Sequence, residues 1–256
     1  MKVAVVQLNT QDDLEKNLLQ IGDLIDTAAV VHGAELVALP EYALCLTGRR
    51  DCAIAHAQVL DNSTALAAIA HLARKHHVAL HLGSVVERGT DGNLYNTSVA
   101  FGRDGTQISR YRKMNLFQTA KPEWANSVVH YEAGFLSTGT SVETFELEGM
   151  TFGNSICFDL RHAVHYQKLR AMGAEIILCP SAFTSLTGER DWQALLTTRA
   201  RETGCYMVGA NQCGSFDDGC YESWGHSMIV APTGEVVVEC QQEPGVISTD
   251  ILERAR

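Results

Sequence analysis

The chain repeats one pattern of elements, and that repetition constrains its fold more than any other feature. "VAVVQL" opens as a short apolar run of the kind that forms a strand buried on both faces. "DLEKNLLQIGDLIDTAAVVHGA" then places apolar residues at Leu14, Leu18, Ile21, Leu24, Ile25 and Ala28, a helical spacing that closes at Gly33. "ELVALP" predicts a second buried strand, and "STALAAIAHLARKHH" a second helix capped by Asn62 or Ser63. "VALHLGSVVE" and the hairpin "YNTSVAFGRDGTQISRYRK", turning at Asp104-Gly105, complete this half.

After about residue 140 the pattern returns, as strand "MTFGNSIC", helix "RHAVHYQKLRAMGA", strand "EIILCP", helix "DWQALLTTRARETG" and strand "CYMVGANQ". The closing hairpin "HSMIVAPTGEVVVEC" turns on "PTGE" as the first turns on "RDGT". Two β-α-β-α-β-ββ halves predict an α/β protein with two mixed sheets, each carrying helices on one face and packing its other face on its twin. The result is a four-layer αββα sandwich. At 256 residues we expect a single domain spanning 1–256.

A net charge of −10 would repel a polyanion, and no basic stripe offsets it, so nucleic acid is not an expected partner. The opening "MKVAVVQLNT" lacks a cleavage-type site and no stretch is apolar enough to span a membrane. The expectation is a soluble, cytoplasmic protein with no membrane association. Eight cysteines in such a chain read as free thiols, mostly small buried hydrophobes. Cys45 and Cys52, like Cys205, Cys213 and Cys220, lack the C-x2-C knuckles of a zinc site. The adjacent histidines of "HHVALH", His76 and His77 with His81 beyond them, cannot easily face one metal at a helix end, with no H-E-x-x-H and no downstream acidic ligand, and no dinucleotide or P-loop glycine motif occurs. No metal or cofactor is expected.

Functional groups on α/β folds lie where strands hand over to loops. Three reactive side chains stand at such points: Glu41 after "ELVALP", Lys113 after the first hairpin, and Cys157 after "MTFGNSI". A cysteine at a strand-to-helix turn is expected to have its pKa lowered by nearby N–H groups. A carboxylate can take the thiol proton and later activate water, and an ammonium with the Phe158 N–H can hold the oxyanion of a tetrahedral intermediate. Taken singly, Cys157 reads as a packed thiol, Glu41 as the start of a solvated loop, and Lys113 as part of a solvated basic run with Arg110 and Arg112.

Together with their flanks they say more. "LPEYAL", "YRKMNLF" and "NSICFDLR" resemble the three signature segments of the nitrilase, or carbon-nitrogen hydrolase, superfamily, whose fold is the αββα sandwich. The resemblance implies a catalytic Glu41, Lys113 and Cys157, and an assisting Glu132 within "HYEAGFLSTG". It covers the whole chain, and "PSAFTSLTGERDWQALLTTRARETGCYMVGANQCG" and "WGHSMIVAPTGEV" look closest to the Nit-type amidases, which include ω-amidases and deaminated glutathione amidase. A homodimer or larger homo-oligomer is also implied.

The implied reaction releases ammonia from a small carboxamide through a thioester. A nitrile or an N-carbamoyl compound is the alternative substrate, and a non-catalytic scaffold with this fold is the alternative function. Tyr42 and Phe183 are candidate pocket walls. Arg161 is expected either to grip a substrate carboxylate or to brace the turn by pairing with Asp159 or another buried acid. Asn115 stands where many relatives have histidine, and the loop 118–129 differs from the short Pro-Gly loop of that branch and is expected to help shape the pocket.

Overall fold

The computed structural model describes residues 1–118 and 131–251. In the first half the strands are β1 (Lys2–Gln7), β2 (Leu36–Ala38), β3 (Ala79–His81), β4 (Val85–Arg88), β5 (Leu94–Phe101) and β6 (Gln107–Arg112). The helices are α1 (Leu14–Asp26), α2 (Arg50–Ala55) and α3 (Thr64–His76). The second half holds β7 (Thr144–Leu147), β8 (Met150–Asn154), α4 (Ala163–Ala171), β9 (Ile176–Leu178), α5 (Ser185–Thr203) and β10 (Tyr206–Gly209). β11 (Cys213–Phe216), β12 (Tyr221–Trp224), β13 (Met228–Val230), β14 (Val236–Glu239) and β15 (Gly245–Asp250) follow.

Helix ends fall where the side chains dictate. Asp13 accepts from the Lys16 N–H at 3.1 Å and starts α1, and Ser63 accepts from the Leu66 N–H at 3.0 Å and starts α3. α3 ends on His77 in the left-handed region, and α5 ends on Gly204 in the same conformation. α1 stops two residues short of Ala28, because Thr27–Val31 winds on as a π-helical turn. "VALHLGSVVE" is not one strand but two, broken at Gly83 between β3 and β4.

β1, β2 and β3 run parallel, as do β8, β9 and β10. Alternate residues along these strands face opposite layers, as the two-residue pleat requires. Val3, Val5, Leu36 and Ala38 meet Phe152, Ile176, Leu178 and Val208 between the two sheets. Ala4, Val6 and Val37 turn the other way, onto Ile21, Ile25, Leu66 and Ile69 of the helices. In the second half Ile177, Met207 and Val230 pack on Leu169, Trp192 and Leu196. The four-layer αββα order follows from this alternation.

The equivalence of the halves extends one strand further than the repeat predicts. β7 lies antiparallel beside β8 at one edge of its sheet, and the matching position beside β1 is filled antiparallel by β15, from the far end of the chain. The last strand therefore ties the second half onto the first sheet. The β11–β12 hairpin is a further addition, inserted between β10 and β13. No described helix is long and apolar enough to cross a membrane.

Candidate active site

Glu41 leaves the carboxyl end of β2, Cys157 that of β8, and Lys113 the end of β6. The packing of one sheet on its twin brings these ends together, and Glu132 joins them from a 3-10 turn, Glu132–Gly134. All three charged groups are nearly inaccessible, Glu41 at 2%, Lys113 at 1% and Glu132 at 1% exposure. Such charges persist in the interior only when paired and hydrogen-bonded.

They are paired closely. The Lys113 Nζ donates to Glu41 Oε1 at 2.8 Å and to Glu132 Oε2 at 2.7 Å. Asn96, inside β5, donates its Nδ2 to Glu41 Oε1 at 2.8 Å and to Glu132 Oε1 at 2.9 Å. Glu132 also accepts from the Tyr42 hydroxyl and, at 2.6 Å, from the Phe117 N–H. An ammonium has three donors, so Lys113 keeps one beyond its two carboxylates.

The backbone at each handover is bent into place. Tyr42 and Cys157 both adopt positive φ, 56° and 45°, a left-handed conformation that non-glycine residues rarely take. Beside Tyr42 the backbone is closely packed: Gly83, at φ 78°, lies so near the Pro40 carbonyl that a Cβ would stand 1.9 Å from its oxygen, and the Tyr42 N–H donates to the Ser84 hydroxyl at 3.1 Å. The Glu41 carbonyl is held by Gln212 Nε2 at 2.8 Å.

For Cys157 the brace is Asp159, which is fully buried. Its Oδ2 accepts from the Ile156 N–H at 2.9 Å and the Tyr111 hydroxyl at 2.7 Å. Its Oδ1 accepts from the Asn115 N–H at 3.0 Å and Nδ2 at 2.7 Å. One carboxylate thus fixes the cysteine turn to the segment that carries Lys113. Asn115, a departure in sequence, is used here as a donor to that brace.

The expected lowering of the Cys157 pKa is not found. Burial pushes the thiol well up, the negative Glu41 adds to the effect, and Lys113 opposes it. Glu41 is raised too, by burial first, against the pull of Lys113. For Lys113, burial disfavours the charge, but Glu132 and Glu41 outweigh it and hold the ammonium well above its usual range. The resting thiol therefore keeps its proton, and Glu41, which lines the same cavity and interacts electrostatically with the thiol, is the carboxylate placed to receive it.

Cys157 opens on a cavity of about 420 Å³ whose floor also includes Glu41, Tyr42, Lys113 and Glu132. Phe158, Phe117 and Phe183 form its walls, with Arg161, Ala182, Thr184 and Thr187 at the margin. The Phe117 and Phe158 rings meet tilted with centroids 5.2 Å apart, and Phe183 meets Trp192 in the same way at 5.0 Å. The Phe158 N–H has no hydrogen-bond acceptor among the described residues, a condition an oxyanion donor must meet. Arg161 does not pair with Asp159. It reaches Asp191 on α5 at 2.7 Å, with its guanidinium near the Phe158 and Phe183 rings.

Other expectations need correction. Arg110 and Arg112 are not a solvated run, because both pair with the buried carboxylate of Glu87. The reading of "HHVALH" needs no such change: His76 pairs with Asp26 at 2.5 Å while His81 is buried against Ser98 at 2.7 Å, in different surroundings. Of the loop expected at 118–129, all but Gln118 lies outside the described residues. Sequence reasoning missed Asn96, which stands in the polar run Asn96-Thr97-Ser98 of β5, and missed the role of Asp159 as the brace of the cysteine turn. It also missed a group of soft donors at Cys45, Cys52 and His56.

Comparison with known proteins agrees with the fold and the signature segments. The family model of the carbon-nitrogen hydrolases matches residues 2–256. A deaminated glutathione amidase of Synechocystis is 30% identical, with 99% of this chain and 93% of the relative covered. The omega-amidase NIT2 of Homo sapiens is 31% identical over 98% of this chain and 88% of its own length. The crystal structure of Saccharomyces cerevisiae Nit3, described as a member of branch 10 of the nitrilase superfamily, superposes with a TM-score of 0.87 at 27% identity, covering 97% of this chain and 89% of Nit3. With a match that runs across nearly its whole length, the chain belongs to the carbon-nitrogen hydrolase family of the nitrilase superfamily.

Proposed function

We propose that the protein hydrolyses a small carboxamide through a thioester on Cys157. The observation that carries this is the meeting of Cys157, Glu41 and Lys113 on one cavity, where the carboxylate lies 2.8 Å from the ammonium. Glu41 takes the thiol proton as sulfur attacks the carbonyl carbon. The free donor of Lys113 and the Phe158 N–H hold the oxyanion. As the intermediate collapses, the proton on Glu41 passes to the leaving nitrogen and ammonia departs. A water that gives its proton to Glu41 then cleaves the thioester, and the returning proton restores the thiol. Glu132 accepts no proton in this cycle; it holds Lys113 and Tyr42 in place.

The favoured substrates are deaminated glutathione and the ω-amides of α-keto acids, on the names of relatives at 30–31% identity. The small cavity with aromatic walls and Arg161 at its margin suits a short amide bearing a carboxylate, Arg161 keeping donors beyond those used on Asp191. A cytoplasmic homodimer belongs to the same proposal, on resemblance alone, and sedimentation velocity tests the oligomer. The test of activity is ammonia release by wild type and Cys157→Ala, each given deaminated glutathione, 2-oxoglutaramate, a simple aliphatic amide, a nitrile and an N-carbamoyl amino acid. Release from an α-keto amide by wild type alone is expected. Release from the nitrile or carbamoyl compound alone would replace the substrate class, and equal release by Cys157→Ala would end the proposal.

A further inference from the structure

We propose that Cys45, Cys52 and His56 form a site for a thiophilic divalent cation, with zinc as the ion, outside the catalytic cavity. Cys52 and His56 stand four residues apart across α2 and its C-terminal cap, so both side chains project from one face of the helix. Cys45 comes to that face from the loop that follows Glu41, which brings its thiol beside Cys52. The three donor atoms all lie within 4.8 Å of one another. Two sulfurs and an imidazole nitrogen are a donor set that selects zinc over magnesium or calcium, whose preferred ligands are oxygens.

The spacing of the donors fits an ion between them. Cys52 Sγ and His56 Nδ1 are 3.7 Å apart. Tetrahedral zinc at its usual bond lengths to sulfur and nitrogen separates such a pair by about 3.5 Å. Cys45 and His56 line a small cavity with Leu44, Ala53, Val85 and Val86, and each donor residue is only half-buried, so the donors are reachable from solvent. The carboxylates of Asp12 and Asp217 act electrostatically on Cys45, which favours a cation there, although Arg49 pairs with both.

Binding is a proton exchange. The His56 Nδ1 lies 3.0 Å from the Cys52 carbonyl, where it carries its hydrogen as a donor. His56 gives up its bond to the Cys52 carbonyl and its ring turns toward the two sulfurs; the ion then takes the Nδ1 lone pair with the ring hydrogen on Nε2, and the two thiol protons leave to solvent. Water fills the fourth position. None of the three residues lines the catalytic cavity, but Cys45 shares its loop with Glu41 and Tyr42, so an ion would link that loop to α2.

The test uses the tag-free chain carrying Cys157→Ala, so that the cavity thiol cannot bind metal. Zinc is titrated against a chromophoric chelator after reduction and removal of the reductant, and cobalt(II) is used as a spectroscopic substitute. The expected result is one zinc per chain, a tetrahedral cobalt spectrum with thiolate charge-transfer bands of two sulfurs, and affinity at least about tenfold weaker in Cys45→Ser and in His56→Ala. The cobalt spectrum of the parent reports the ligands directly, so it decides the matter even if a substitution disturbs folding. No stoichiometric uptake, or uptake unaltered in both variants, would overturn the site. A Cys45–Cys52 disulfide formed in air by a chain that takes up no metal would also overturn it, making the two thiols a redox pair.

Discussion

The Nζ of Lys113 lies 2.7 Å from Glu132 Oε2, and both residues are 1% exposed. A buried charge pair of this kind is costly to break, because the survivor keeps its desolvation and loses its partner. Lys113 serves two carboxylates at once, so its removal leaves Glu41 and Glu132 facing each other. We expect Lys113→Ala to destabilise the fold by about 3–5 kcal/mol, read from urea unfolding. Activity should fall by at least about 10²-fold with the oxyanion donor gone.

Glu41→Gln separates base chemistry from packing. The amide keeps the size of the side chain and removes the proton acceptor, so kcat/KM should fall by about 10²- to 10⁴-fold with little change in melting temperature. Because burial raises the Glu41 carboxyl above its usual range, the acidic limb of the wild-type pH profile should lie above that of an ordinary carboxylate. That limb should be absent from any residual activity of the variant.

Asp159 tests whether the cysteine turn needs its brace. In Asp159→Asn an amide can still accept at one oxygen, but its NH₂ must face donors, leaving at least one of the Ile156, Tyr111 or Asn115 bonds unmade. The loss should be about 1–3 kcal/mol of stability, with kcat reduced more than KM is raised, because the displaced group is the Cys157 backbone.

His81 carries a pH dependence of stability that is independent of catalysis. Burial depresses its pKa from 6.5 to about 4, so between these values the unfolded chain binds the proton more tightly than the folded one. The stability linked to neutral His81 is complete above pH 6.5 and is lost as pH falls toward 4, by about 3 kcal/mol in all. Urea unfolding of wild type and His81→Gln across this range should show a shallower fall in the variant.

The parts of this molecule legible in sequence were those set by local pattern. Strand runs such as "VAVVQL", helical spacing in α1 and α3, and reactive residues at strand ends placed the layers and put Glu41, Lys113 and Cys157 at one end of the sheets. What could not be read depends on where distant segments meet. β15 lies beyond the last element of the repeat read from the sequence, and only the sheet shows that it fills beside β1 the place that β7 fills beside β8. Arg161 stands two residues from Asp159 yet pairs with Asp191, because Asp159 is already committed to Tyr111, Asn115 and the turn itself. Asn96 sits within a strand whose pattern says only that it is buried, and its partners, Glu41 and Glu132, lie 55 and 36 residues away. The spacing of Cys45, Cys52 and His56 matches no knuckle, since one ligand comes from a loop and two from a helix face.

The central claim is that Cys157 is acylated during turnover. The direct measurement is acid-quenched mass spectrometry of wild type and Cys157→Ala, mixed with 2-oxoglutaramate for milliseconds to seconds, with peptide mapping of any adduct. The account predicts an acyl group on the peptide containing Cys157, appearing with the first equivalent of ammonia and absent from the variant. Ammonia released by the variant at the wild-type rate, or an acyl group mapped to another residue, would contradict it.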